Sequence, residues 1–401
     1  MSARSTRKQA AQQAIQAAGA DLRALSLDIH SHPELNFQEV HAHAALTDFL
    51  EERGFEVARG AWGLPTAFKA TIGSGSPTVA VLCEYDALPG IGHACGHNLI
   101  AIAGVATGLG AQAALRPGEG TLLVLGSPAE EGGGGKQFMI ERGAFNGVDA
   151  ALMLHPAPID QPWGTALAIQ QLEVEYHGRG AHASASPHDG INALDALVLA
   201  YNNLSALRQQ FRSGQQVHGV FHEAGVKANI IPHHTRAEYI LRARNFTDLE
   251  DLKRRALACF QGAATATGCR LEHQWAGPPY DNVLSNEPLG EAFVENARAL
   301  GWPLPHKNEA PQTMGGSTDM GNVSHVVPGI HPLYAIPSEA GNHTEGFTAA
   351  AATPEAHERT LRAATALAMT VIDAFLDPDL LPAAKAAFAA GQQEPEPARP
   401  V

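Results

Sequence analysis

Apolar positions along the chain change their period twice, and the changes mark out two kinds of segment. Residues 9–30 and 39–53 carry apolar side chains near helical spacing, the first stopped by Pro33 and the second capped by Gly54. Unbroken apolar runs follow at 67–72, 78–83, 121–125 and 150–154, with a small-residue helix expected over 101–114. Strands alternating with helices predict an α/β domain with a mostly parallel sheet. From 172 the period falls to two. Leu172, Val174 and Tyr176 alternate with polar residues, as in a strand buried on one face. A helix over 191–210, strands over 217–221, 226–231 and 236–243, and a helix over 249–265 fit a β-α-β-β-α-β, ferredoxin-like order. Helical α/β character returns after Pro278 and Pro279. The chain is thus expected to form one discontinuous domain, 1–171 with 286–401, interrupted by an inserted α+β domain at 172–285. Beyond Asp377 a weak Ala-rich helix leads into QQEPEPARP, a polar tail of the composition that stays disordered.

With 401 residues, 45% of them hydrophobic, the chain can bury two such cores. The formal net charge of −14 argues against nucleic acid or an anionic membrane surface as partner. The basic clusters at 4–8 and 253–255 are short and read as solvated helix faces. No run reaches the ~18–20 apolar residues of a membrane helix, and the N-terminus lacks a signal-peptide core, so a cytoplasmic location is expected. The four cysteines show no zinc-ribbon or redox-pair spacing and are expected as free thiols. Cys83 lies inside an apolar run and reads as core. Cys95 lies outside one, between His93 and His97.

Cys95 belongs to a wider pattern. Four segments, TVAVLCEYDALPGIGHACGHN, TLLVLGSPAEEGGGG, VDAALMLHP and HPLYAIPSEAGNHTEGF, each follow an apolar run with metal-binding side chains. They supply Cys95, His97, Glu131, His155 and His343, a thiolate, imidazole and carboxylate set suited to zinc and similar ions. Ligands of open α/β sheets bind beyond the carboxyl ends of the strands, where these residues fall. Gly96 lets the backbone turn tightly between Cys95 and His97. Glu130 and Glu131, in a strand-like segment, should point to opposite sides. One would bind metal while Glu130 faces the attacking water as general base. Asp86 is either a carboxylate orienting a ligating histidine or a turn-former before Pro89. A nucleophile elbow, a phosphate loop and a dinucleotide-binding loop are all absent from the sequence. A Cys95–His nucleophile is the competing enzyme reading, but it leaves both glutamates, His155 and His343 without roles.

In this order the motifs HSHPELNFQE, EYDALPG…GHACGHN, GSTDMGNVS and NHTE resemble the metallopeptidase and aminoacylase family of carboxypeptidase G, hippuricase and the plant auxin-conjugate hydrolases. The nearest likeness is to the branch of aminobenzoyl-glutamate hydrolases and of dipeptidases acting on β-alanyl-lysine and Xaa-Arg substrates. The resemblance implies a zinc-peptidase-like three-layer catalytic domain with an inserted lid and dimerisation domain. It implies two divalent ions (zinc, manganese or cobalt), a homodimer formed through the lid, and a small peptide or N-acyl-amino-acid substrate with a free carboxylate. Cys95, His97, Glu131, His155 and His343 match the ligands, with Cys95 where other members bridge two ions, Glu130 matches the general base and Asp86 the orienting carboxylate. By the same resemblance His182, in GRGAHASASP, matches a histidine that steadies the oxyanion. Asn229, in ANIIP, and Arg242 match the pair that holds the substrate carboxylate. Two positions depart from the pattern. Glu84 stands where many relatives have a metal-ligating histidine, and Asn98 where the auxin-conjugate type has aspartate.

Overall fold

The structure is a computed structural model and describes residues 3–310 and 315–391. The QQEPEPARP tail lies outside the described residues. The described residues hold twelve strands: β1 (Glu56–Arg59), β2 (Phe68–Ser74), β3 (Thr78–Glu84), β4 (Gly120–Ser127), β5 (Ala150–Leu152), β6 (His155–Ala157), β7 (Ala168–His177), β8 (Gln216–Glu223), β9 (His234–Ala243), β10 (Arg270–Tyr280), β11 (Gly329–Ile330) and β12 (Leu333–Ala335). The chain divides into two compact units, Met1–Thr165 with Val283–Gly315 and Asp319–Val401, and Ala166–Asn282 with Gly316–Thr318. The smaller unit begins earlier than the 172 expected, because β7 already pairs with β9 from Ala168. It also includes Gly316, whose carbonyl accepts from the Leu167 N–H.

In the larger unit six strands form one sheet in the order β1-β2-β4-β3-β5-β11. The pairings of β3 with β4, β3 with β5 and β5 with β11 are parallel, while β1 and β2 form an antiparallel edge. β3 is buried on both faces. Val79, Val81 and Cys83 enter one apolar cluster, and Ala80 and Leu82 enter another with Met139, Met320 and Val323. Helices therefore cover both faces, which makes three layers and explains why β3 reads as an unbroken apolar run. The helix His97–Ala114 starts four residues before the expected 101, so His97 sits on its first turn. Its small residues allow close approach to the sheet: a Cβ on Gly104 would lie 2.4 Å from Cys83 Sγ and 2.7 Å from Leu82 O.

The N-terminal helical stretch is two helices, Ala3–Ala17 and Gly19–Ser31. Its basic cluster is not merely solvated. Arg4 pairs with Asp373 and Asp377, Arg7 with Glu119 and Lys8 with Asp373.

The smaller unit is a four-stranded antiparallel sheet, β10-β7-β9-β8. The helices Ala193–Leu207 and Phe246–Thr267 share a core with the alternate residues Leu172, Val174, Tyr176, Ala237, Tyr239 and Leu241. Residues 226–231 are not a strand. They form a turn in which the Ile230 N–H donates to Lys227 O at 3.0 Å, and Ile230 pairs only in an isolated bridge with His182. The fourth strand is β10, whose polar residues and Gly277-Pro278-Pro279 mask its pattern. Among the described residues no helix is long and apolar enough to cross a membrane.

Replacing Gly104 by valine should force the helix His97–Ala114 off β3 and lower stability by about 1–3 kcal/mol. Chemical denaturation with an unchanged midpoint would contradict this packing.

Candidate metal centre

Gly96 carries the chain into the helix His97–Ala114 with a φ of 74°. A Cβ at this position would meet Pro156 Cγ at 2.6 Å. Glycine alone satisfies both the left-handed backbone and that close approach. The loop is thereby pressed against the strand that bears His155, and Cys95 Sγ lies 3.4 Å from His155 Nε2. The other ring nitrogen of His155, Nδ1, donates to Pro156 O at 2.8 Å, which leaves Nε2 as the lone-pair nitrogen.

Glu130 and Glu131 do not diverge as on a strand. Ala129 adopts a φ of 58° and the Gly132 N–H donates to Glu130 O at 2.7 Å, so the segment is a turn. As a result Glu130 Oε2 and Glu131 Oε1 both lie 3.8 Å from His97 Nε2. His343 also has a left-handed backbone, with a φ of 66°. Its N–H donates to Ala94 O at 2.8 Å, and its Nε2 is 3.5 Å from Glu131 Oε1. Non-glycine residues held in this region mark places where surrounding structure sustains local strain. Here they bring Glu130 and Glu131 to His97 Nε2 and His343 to Glu131. His343 is the exposed member of a group whose other candidate ligands are buried or nearly so.

Asp86 connects two of these segments. Its Oδ1 accepts from His97 Nδ1 at 2.9 Å, and its Oδ2 accepts from the Glu131 N–H at 2.9 Å. With Nδ1 donating, His97 presents Nε2 to the glutamates. Burial alone would raise the Asp86 pKa, but the His97 charge and hydrogen bond hold it below its usual value. Glu130 is pushed well above the carboxylate range, first by burial and then by the charges of Glu84, Glu131 and Asp319. Burial and then Glu131 push the Cys95 thiol up to about 12. His155 is lowered to about 4, chiefly by burial.

This donor set fits divalent metal. His97 Nε2, Glu131 Oε1 and Glu84 Oε2 are buried without a hydrogen-bond partner. Among the groups whose ligand atoms lie close enough to share an ion, three fall at this centre: Cys95, His97 and His155; Cys95, Glu131 and His343; and His97, Glu130 and Glu131. The structure thus brings together all five expected ligands with Glu130 and Asp86.

Several neighbours carry no clear signal in the sequence. Lys136 is fully buried and pairs with Glu84 and with Asp319, the latter at 2.5 Å. Breaking such a buried pair from one side costs about 3–5 kcal/mol. Asn342 donates to Pro156 O at 3.2 Å and lies 3.8 Å from Cys95 Sγ. The buried ring of His331 stands edge-on to His155, with centroids 5.5 Å apart. A lysine after four glycines is the one sequence feature that points to Lys136.

His182, Asn229 and Arg242 lie in the smaller unit. His182 is exposed, and its Nδ1 accepts from the N–H groups of Ser184 (3.3 Å) and Ala185 (3.2 Å). The proton is therefore on Nε2, which faces outward as a donor. Asn229 is exposed, with its carbonyl bound to the Ala183 N–H. Arg242 donates to Ser317 Oγ at 2.7 Å. Among the described residues no carboxylate pairs with it, and its pKa is lowered by burial alone.

Residues 80–372 match the model of peptidase family M20/M25/M40. The Xaa-Arg dipeptidase of Mus musculus is 44% identical over 96% of this chain and 93% of its own length. One p-aminobenzoyl-glutamate hydrolase polypeptide of Escherichia coli is 30% identical over 88% of this chain and 89% of its own. A solved Bacillus subtilis structure, described as a dinuclear metal binding peptidase, superposes with a TM-score of 0.66 at 22% identity, covering 89% of this chain and 99% of that one.

Asp86→Asn should weaken divalent-metal affinity roughly 10- to 100-fold, because it loosens both His97 and the Glu131 backbone. Equilibrium dialysis followed by elemental analysis checks this, and unchanged affinity would remove Asp86 from the account.

Proposed function

We propose, since this chain belongs to peptidase family M20/M25/M40, that it is a two-metal dipeptidase cutting the amide bond before a residue with a free α-carboxylate. It is a metal-dependent hydrolase of peptide or amide bonds. One observation carries the finer reading: Cys95 belongs both to the group with His97 and His155 and to the group with Glu131 and His343. A thiolate shared between two ligand groups supports a pair of ions, zinc, manganese or cobalt by donor chemistry. Bound there, the ions supply Lewis-acid polarisation of the scissile carbonyl and acidify the attacking water.

The chain's own residues do the rest. Glu130, whose Oε2 lies 3.8 Å from His97 Nε2, takes the proton from water and passes it to the leaving amine. Asp86 holds His97 and the Glu131 backbone in place. The outward Nε2–H of His182 is suited to donate to the developing oxyanion. Arg242, with no carboxylate partner among the described residues, and Asn229 bind the substrate carboxylate. The likeness to the mouse enzyme makes Xaa-Arg dipeptides the leading substrates, and aminobenzoyl-glutamate the alternative. Exposed Val198, Tyr201, Val220 and Phe221 on the helix Ala193–Leu207 and the edge strand β8 support a homodimer through the smaller unit.

Purified protein loaded with manganese, zinc or cobalt should release arginine from Xaa-Arg dipeptides in a panel that includes Lys dipeptides, N-acyl amino acids and aminobenzoyl-glutamate. Release only from aminobenzoyl-glutamate would move the substrate assignment to that class, and no hydrolysis at all would reject the proposal. Glu130→Gln should keep its metal yet lose roughly 10²- to 10⁴-fold in turnover; near-parent turnover would exclude Glu130 as the base. A chelator should abolish activity and added ion restore it, whereas a Cys95 nucleophile would survive chelation. Val220→Asp with Phe221→Asp should yield a monomer by sedimentation, and a dimer of unchanged stability would place the interface elsewhere.

A further inference from the structure

The buried ion pair at the floor of the metal centre has no part in the mechanism above. Asp319 grips Lys136 twice: Oδ2 accepts from its backbone N–H at 3.0 Å and Oδ1 from its ammonium at 2.5 Å. So anchored, the ammonium also holds Glu84 Oε1. All three side chains are fully buried. Glu84 Oε2 then points away from the lysine. It lies 3.7 Å from His97 Nε2 and has no hydrogen-bond partner.

His97 Nε2 makes no hydrogen bond to Glu84, and both atoms are buried without a partner. Glu84 Oε2, Glu130 Oε2 and Glu131 Oε1 stand 3.7, 3.8 and 3.8 Å from His97 Nε2. Three carboxylates gathered in a site shielded from water repel one another unless positive charge lies among them, and a bound cation supplies it. Ligands at ~2.0–2.2 Å from a tetrahedral ion are ~3.3–3.6 Å apart, close to the spacing seen here.

We propose that Glu84 is a ligand of the metal centre, and that Lys136, fixed by Asp319, is the positioning residue that turns its carboxylate toward the ion. This rests on the metallohydrolase reading of the same centre. It adds a sixth protein ligand and explains why a lysine is buried here. With one oxygen held by an ammonium, the carboxylate binds metal through the other. Asp319 carries the constraint from the segment just before the helix Met320–Ser324 to the base of the helix Gly135–Glu141.

The test is metal affinity by equilibrium dialysis with manganese, together with the visible absorption spectrum of the cobalt-loaded protein. Glu84→Gln, close in shape, should bind manganese at least roughly 10- to 100-fold more weakly than the parent and alter the cobalt bands. Lys136→Met should shift both readouts in the same direction. Parent affinity and an unchanged cobalt spectrum in Glu84→Gln would overturn the assignment. A Lys136→Met protein that melts earlier but binds metal normally would reduce the lysine to a structural role and overturn its part. Should Lys136→Met not fold, Glu84→Gln decides alone. A parent protein that takes up no divalent ion would overturn the metallohydrolase reading and this inference together.

Discussion

The metal centre depends on one carboxylate placed between two chain segments. Asp86 takes the His97 ring proton on one oxygen and the Glu131 amide proton on the other. The first bond fixes which nitrogen of His97 is free, and the second fixes the turn that carries both glutamates. The carboxylate is fully buried; burial alone would raise its pKa, but the interaction with His97 holds it below its usual value.

The layered sheet makes that bridge possible. Parallel β3, β4 and β5 deliver the Cys95 loop, the Glu130-Glu131 turn and the His155 strand to the same end of the sheet. Two local devices then set the geometry. Gly96 allows Pro156 to approach where any side chain would collide. Positive φ at Ala129 and His343 turns Glu130, Glu131 and His343 inward. These features are costly to the backbone and are offset by tight packing at the site. The smaller unit carries a histidine with a fixed tautomer and an arginine with no carboxylate partner among the described residues.

The candidate ligand residues stand out in the sequence because each lies in a loop or strand that follows an apolar run and carries a distinctive side chain. Cys95-Gly96-His97 and Glu130-Glu131 need little else. The three-layer architecture is legible too, from unbroken apolar strands alternating with helices. The Glu84–Lys136–Asp319 cluster is not, because its bonds join residues 52 and 183 positions apart and leave no local periodicity. Local pattern also misleads at two points. Residues 226–231 are apolar enough for a strand but close a turn, with Val226 and Ile230 exposed. Strand geometry would separate the two glutamates, whereas the φ of Ala129 brings both carboxylates to His97.

The central claim is that these strand ends build one two-ion site. Anomalous X-ray scattering at the manganese edge, from crystals grown with manganese, tests it most directly. The account predicts two peaks, one bounded by Cys95, His97 Nε2 and His155 and the other by Cys95, Glu131 and His343. A manganese signal confined to any other part of the molecule, or none at saturating ion, would contradict it.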